Sequence, residues 1–325
     1  MEEVICLEGL SKKYGDLVAV DAVSFSVHEG EIFGYLGPNG AGKTTTIRML
    51  VGLTRPTSGE ATLNGVSILK DPVRAKETVG VVPEASNLYG ELTAWENLVY
   101  MAQLYGLPKK EWGARAGELL RDFGLIERKD DKFQVFSRGM KRRLTIAAAL
   151  VHRPRLLFLD EPTTGLDVMS ARGLRQVIRK LKEKGVTVFL TTHLIQEAEE
   201  LCDRIAIIVK GKIRTIDTPA KLKNQVQEVE ILEMKVHPLF DSLPKEMESI
   251  PGVEKATLVE GKIHLIGKSV HQALPPIVAH LSGKKMQILS IQTLTPSLED
   301  AFVKLTGVDG EIMRVDKPQK MGGGG

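Results

Sequence analysis

The sequence predicts an α/β fold with a mostly parallel sheet, followed by a smaller α+β domain. Three observations lead there. Short apolar strands alternate with helix-length amphipathic segments from about residue 30 to residue 210. A glycine-rich turn, Gly37-Pro38-Asn39-Gly40-Ala41-Gly42-Lys43-Thr44, follows one of these strands and opens a helix. After Pro219 the order becomes strand, helix, strand, strand, helix, strand and a last helix, a ferredoxin-like arrangement.

The elements follow in order. Val23, Phe25 and Val27 alternate with Ser24 and Ser26, the period of a half-buried strand. Glu31–Leu36 is a strand, residues 42–51 a helix, and Asn64-Gly65 a type I′ hairpin turn. Thr93 and Glu96 form a capping box for a helix with Leu98, Met101, Ala102 and Tyr105 on one face. Helices are expected over Lys110–Phe123 and Gly139–His152, the latter turning Leu144, Ala147, Ala148 and Val151 inward. Strands at Leu156–Leu159, Val186–Thr192 and Ile205–Val209 alternate with helices at Ala171–Lys184 and Ile195–Leu201, and Lys210-Gly211 turns the chain back. In the second domain, strands are expected at Val229–Val236, Val253–Leu258, Lys262–Ile266 and Lys285–Gln292. Helices are expected at Pro238–Ile250, Val270–Leu281 and Pro296–Thr306. The expected domains are 1–222 and 226–308. Residues 309–325 form a tail whose closing glycines read as a linker or tag remnant.

Composition narrows the function. With 44 Lys+Arg against 41 Asp+Glu, the net charge of +3 does not advertise a nucleic-acid binder. No apolar run approaches the ~18 residues of a membrane span, and the first residues lack a signal-peptide pattern. Cys6 and Cys202 make no disulfide framework, so a reducing cytosol is expected.

The glycine-rich turn points to phosphate chemistry. Its glycines let backbone N–H groups wrap an anion, and the helix N-terminus adds partial positive charge. Gly37, Pro38, Asn39, Gly40, Ala41, Gly42, Lys43, Thr44 and Thr45 are therefore the expected nucleotide cradle. Lys43 would reach the β- and γ-phosphates, and Thr44 would ligate Mg²⁺. The apolar strand ending in Asp160-Glu161 supplies an acid for the metal shell, Asp160, and a general base for water, Glu161. By itself such a pair is equally a solvated strand end. His193 closes the strand Val186–Thr192 at the edge where open α/β sheets bind ligands, and a γ-phosphate contact is expected of it.

Phe136-Ser137-Arg138-Gly139-Met140-Lys141-Arg142-Arg143, lying shortly before Arg155–Glu161, resembles the signature of the ATP-binding cassette family. The resemblance covers about residues 2–220. It implies a P-loop ATPase domain with a parallel-sheet core, an antiparallel β subdomain and a helical lobe over about residues 84–135. It implies Mg-dependent ATP hydrolysis with ATP and Mg²⁺ as cofactors. It also implies a head-to-tail homodimer, or a heterodimer with a paralogue. In that dimer Ser137, Arg138, Gly139 and Met140 meet the nucleotide held by the partner, and Asp167 crosses the interface. Tyr14 resembles the aromatic that stacks on adenine, although a lone tyrosine there is equally a strand residue. Glu84 stands where the family carries a glutamine; a carboxylate can still ligand Mg²⁺ but cannot donate a hydrogen bond. Arg138 stands in place of a glycine, directed to phosphate or to solvent. The run Lys141-Arg142-Arg143 is expected as a solvated helix face rather than a nucleic-acid patch. Ser297–Gly307 resembles the ending of ATPases from the type-2 exporter branch.

These likenesses imply the ATPase subunit of an exporter. A separate permease would hold it at the cytoplasmic face of the membrane, and no nucleic acid is expected as a partner. Leu88, Tyr89, Trp95 and Trp112 are candidates for the permease-facing surface, with lobe core the alternative for the tryptophans. The rival classes are a soluble cassette ATPase acting on nucleic acid or ribosomes, and a regulatory switch that binds ATP without hydrolysis.

Overall fold

The computed structural model describes residues 2–225, 230–240, 242–294 and 296–307. The chain divides into two compact units, a larger one built on Met1–Pro219 and a smaller one, Ala220–Leu305. In chain order, the larger unit begins with strands β1 (Glu3–Tyr14), β2 (Leu17–His28) and β3 (Ile32–Leu36) and helix α1 (Lys43–Leu50). Next come β4 (Ser58–Leu63), β5 (Val66–Ser67), α2 (Pro72–Glu77) and β6 (Val79–Val82). Three helices follow, α3 (Ala94–Leu104), α4 (Lys109–Asp122) and α5 (Arg138–Ala149). The rest is β7 (Leu156–Asp160), α6 (Val168–Glu183), β8 (Thr187–Thr192), α7 (Ile195–Leu201), β9 (Arg204–Val209) and β10 (Lys212–Asp217).

Two sheets form this unit. One is antiparallel, in the order β2-β1-β4-β5; the other runs β10-β9-β3-β8-β7-β6. Within the second, β9, β3, β8, β7 and β6 are parallel and β10 is an antiparallel edge. Parallel strands covered on both faces need apolar residues throughout, and β3, β7 and β8 are buried along their whole length. The inward residues of β1 and β2, among them Ile5, Leu7, Val23, Phe25 and Val27, share one core with Phe33, Tyr35, Phe158 and Phe189. Phe25 stacks on Phe33 at 5.2 Å between ring centroids, and Phe33 stacks on Phe189 at 5.8 Å. The aromatic column locks the antiparallel sheet onto the parallel one. It also fixes the strand order in which β8 lies between β3 and β7, so the turns leaving all three gather at one sheet edge.

In the lobe, α3 carries the expected capping box: Thr93 Oγ1 accepts from Glu96 N–H at 3.1 Å, and Thr93 N–H donates to Glu96 Oε2 at 2.8 Å. Trp95 lies across α4 at Gly113 and Gly117, where a Cβ would meet its ring at 3.5–3.6 Å. Trp112 donates its indole N–H to Leu107 O at 2.7 Å, so both tryptophans are half-buried lobe packing. Leu88 is half-buried and Tyr89 is exposed.

The smaller unit contains α8 (Pro219–Asn224, which starts one residue earlier), β11 (Glu230–His237), α9 (Leu243–Met247), β12 (Lys255–Val259), β13 (Lys262–Gly267), α10 (Leu274–Gly283), β14 (Gln287–Leu294) and α11 (Leu298–Thr306). Its sheet is antiparallel, in the order β12-β13-β11-β14. Leu232, Met234 and Val236 of β11 pack with Leu243, Met247, Ile277 and Leu281 of the helices.

Several boundaries differ from the sequence expectation. The segment Pro238–Ile250 yields only α9, because Pro244 sits in its first turn, the position where a missing N–H costs nothing. Pro275 does the same for α10, which leaves Val270–Ala273 as a separate 3₁₀ turn. Helix α6 starts at Val168 rather than Ala171, because Asp167 caps it by accepting from Ser170 N–H at 2.9 Å. Val229 and the expected tail 309–325 lie outside the described residues.

Candidate nucleotide site

A cavity of about 830 Å³ opens at the C-terminal edge of the parallel sheet, within the usual range for a small-molecule site. Tyr14, Asn39, Gly40, Gly42, Lys43, Thr44, Thr45, Glu84, Glu161, Thr164 and His193 line it, with Leu17, Val18, Ala19 and Lys210. Turns that follow β3, β6, β7, β8 and β9 thus converge, as the edge rule for open α/β sheets requires.

The glycines of the cradle are sterically enforced. A Cβ at Gly37 would lie 2.3 Å from Ile208 O, and one at Gly42, where φ is +106°, would lie 2.5 Å from Ala19 O. Lys43 is buried. Its ammonium donates to Gly37 O at 2.7 Å and Pro38 O at 3.2 Å and pairs with Glu161 Oε1 at 3.1 Å. Thr44 Oγ1 donates to Asp160 Oδ1 at 3.4 Å, and Thr191 Oγ1 donates to the same oxygen at 2.6 Å.

Glu161 has φ +48°, a left-handed backbone that costs a non-glycine residue roughly 1–2 kcal/mol. Its N–H is bound by Thr191 O and Thr191 Oγ1, both at 3.1 Å, which holds the unusual geometry. Along a regular strand Asp160 and Glu161 would face opposite ways. The left-handed turn ends that alternation, so Asp160 meets Thr44 while Glu161 meets Lys43. On the far side, His193 Nδ1–H donates to Glu161 Oε2 at 2.8 Å and Thr164 Oγ1 donates to the same oxygen at 3.0 Å. Burial pushes the Glu161 carboxyl up, but the His193 hydrogen bond and the Lys43 charge outweigh it and hold the group below the usual carboxylate range.

Thr44 and Asp160 offer hard oxygen donors side by side at the first turn of α1, a set that suits Mg²⁺ completed by phosphate and water oxygens. Glu84 faces the same cavity and is exposed. Tyr14 is 47% exposed at the rim, with Lys12 Nζ 5.0 Å from its ring centroid.

Ser137, Arg138, Gly139, Met140 and Asp167 do not line this cavity among the described residues. They sit together elsewhere, where α5 and α6 begin. Ser137 caps α5 by accepting from Met140 N–H at 3.3 Å. A Cβ on Gly139 would come within 2.7 Å of Ser170 Oγ, so the glycine lets the two first turns touch. Arg138 is exposed and donates to Gly165 O at 2.9 Å.

The basic run departs from expectation. Lys141 lies over the Phe133 ring at 5.6 Å, and Arg142 is buried beneath the site rather than solvated. Its place was readable from spacing, because Arg142 shares a helix face with Ile146 and Ala149, both buried. Thr191 and Thr164 hold the carboxylates of Asp160 and Glu161, a role with no sequence signature of its own.

The profile of the ABC transporter family matches residues 20–164. The linearmycin resistance ATP-binding protein of Bacillus subtilis is 40% identical over 302 residues, which cover 92% of this chain and 97% of that one. The Nod factor export ATP-binding protein I of Rhizobium etli is 36% identical over 303 residues, 93% of either chain. Among solved structures, an ATP-binding subunit of an ABC transporter superposes with a TM-score of 0.62 at 34% identity, covering 68% of this chain and 92% of that one.

Proposed function

The chain belongs to the ATP-binding cassette transporter family as an ATP-binding, ATP-hydrolysing subunit, and from that premise we propose how its residues divide the work. The cradle from Gly37 to Thr45 takes the phosphates, Tyr14 takes the base, and Lys43 exchanges Glu161 for the β- and γ-phosphates. That exchange leaves the Glu161 carboxylate, still oriented by His193 and Thr164, to accept a proton from the attacking water. His193 keeps its Nδ1–H on Glu161 and turns its other nitrogen to the γ-phosphate, where that nitrogen must also carry a proton to donate to a phosphate oxygen. Thr44, Asp160 and Glu84 hold Mg²⁺, whose charge offsets that of the phosphate oxygens. The observation that carries this reading is the unbroken series Lys43–Glu161–His193, with two contacts of 3.1 and 2.8 Å along one cavity wall.

Glu161→Gln tests it. The variant keeps the shape of the acid and removes its basicity, so turnover falls by about 10²–10⁴-fold while nucleotide affinity stays within a few-fold. Turnover at the wild-type rate would take Glu161 out of the base role.

Among the described residues no helix is long and apolar enough to cross a membrane. The membrane path is therefore assigned to a separate permease, with this chain docked on its cytoplasmic side through the lobe around Tyr89. The linearmycin resistance and Nod factor export proteins support export as the direction. Purification from membranes with a multi-span partner supports transport; RNA in its place supports the ribosome- or nucleic-acid-directed alternative.

A further inference from the structure

A buried guanidinium is expensive unless its donors are used. Arg142, 8% exposed, uses them on backbone carbonyls from two stretches of chain remote from its own helix. Its Nη1 donates to Pro83 O in a short contact and to Glu84 O at 3.3 Å. Its Nη2 donates to Asp160 O at 2.6 Å, and its Nε donates to Pro162 O at 3.0 Å. One turn further along α5, Thr145 Oγ1 lies 2.8 Å from Ser86 Oγ and adds a second tie to the same loop. Burial lowers the pKa of Arg142, but the carboxylates of Asp160, Glu197, Glu84 and Glu161 surround it and favour its charged form.

We propose that Arg142 is a positioning residue that binds the signature helix α5 to the Glu84 turn and to the Asp160–Pro162 turn, so that these three move as one body. The inference rests on the ATPase reading above. Helix α5 begins at Ser137, the group assigned to the partner's nucleotide, and the two turns carry the metal and water groups of the chain's own nucleotide. Arg142 joins them directly, one side chain donating to carbonyls of both turns. A planar fork with five donors can satisfy four carbonyls in two directions, whereas a lysine ammonium presents a single point. The acceptors are main-chain oxygens, so substitutions of the Glu84 or Pro83 side chains would leave the link in place.

The test uses the full chain carrying Arg142→Gln or Arg142→Lys, with wild type in parallel. Hydrogen–deuterium exchange of backbone amides in segments 84–88 and 160–165 should rise several-fold in Arg142→Gln, while segment 39–45 stays protected as in wild type. Because a displacement of about 1 Å at a reacting group can cost up to 10²-fold, kcat should fall at least tenfold with the KM for ATP within about threefold. Arg142→Lys should recover part of both. A merely structural role would raise exchange throughout the unit instead. If Arg142→Gln does not fold, Arg142→Lys carries the test, with the same two segments loosened and an intermediate kcat. Exchange and kcat within twofold of wild type in a folded variant would overturn the proposal. An inactive wild type would instead overturn the assignment of hydrolysis, which keeps the two failures distinguishable.

Discussion

Two buried glutamates in the larger unit respond to protons with opposite signs. Glu161 is held below the usual carboxylate range despite its burial, by the His193 hydrogen bond and the Lys43 charge. Its contribution to stability is therefore fully present above the unfolded-state value and is lost as pH falls through the lower folded-state value. Glu197 is the reverse case. Burial raises its pKa to about 7, the nearby Glu161 charge adds to this, and the Thr192 and Thr163 hydroxyls and Arg175 oppose it. Neither of its oxygens has a hydrogen bond of normal geometry among the described residues. The folded chain thus holds a proton there that the unfolded chain has already released, and stability declines as pH rises from about 4.5 through about 7. Glu197→Gln should match wild type near pH 5 and exceed its Tm by a few degrees at pH 8. Thermal melts across that range check the sign, and a wild type that melts above the variant at pH 8 would contradict it. Neither shift could be read from the sequence, where both residues are acids in similar company. The phosphate cradle could be, since a Cβ at Gly37 or Gly42 has nowhere to go in any fold that packs this turn against a sheet.

At the scale of single elements, legibility followed how local the determining interaction is. The capping box at Thr93 and Glu96 needs only four residues, and α3 starts where it says. The same locality makes its cost predictable. Thr93→Ala removes the acceptor of the Glu96 N–H and should cost about 1 kcal/mol, a Tm loss of roughly 2–4 °C in a unit of this size. Turnover should be left near wild type, because among the described residues none of α3 lines the cavity. Differential scanning calorimetry with a parallel ATPase assay separates the two. Strand β6 carries little local signal: it has four residues, one of them Gly80, and its register is set by β7, a partner some 75 residues away. The first turn of α6 precedes the expected Ala171 because Asp167, which the resemblance assigns to an interface, also caps the helix with its carboxylate. Arg142 differs for a related reason: three consecutive basic residues suggest a solvated face, the helix period shared with Ile146 and Ala149 singles out Arg142, and the tertiary carbonyls complete its burial.

Across the whole molecule, the decisive feature is that the groups assigned to one reaction occupy two separate places on the chain. Lys43, Thr44, Glu161 and His193 line one cavity, with Asp160 behind Thr44, whereas Ser137, Gly139 and Asp167 gather where α5 and α6 begin and do not line it. A two-fold dimer resolves this without new chemistry. In the proposed dimer, isologous pairing would set the α5 end of each copy over the cradle of the other, and the pair would close on itself. Ser137 is exposed, and the first turn of α5 offers its free N–H groups and the positive end of its dipole, both suited to a phosphate oxygen. Closure driven by nucleotide can shift the equilibrium only through contacts made in the closed state, and in the proposed dimer Ser137 would make such a contact. Ser137→Arg introduces bulk at that surface and, on the chain's own side, removes only the acceptor of Met140 N–H. In the Glu161→Gln background, Mg-ATP should drive the chain to twice its monomer mass in multi-angle light scattering. Adding Ser137→Arg should hold it at monomer mass while nucleotide affinity for the single chain stays within about threefold, less than 1 kcal/mol. A doubly substituted chain that still dimerises under saturating Mg-ATP would place the second half of the nucleotide contact somewhere other than the start of α5.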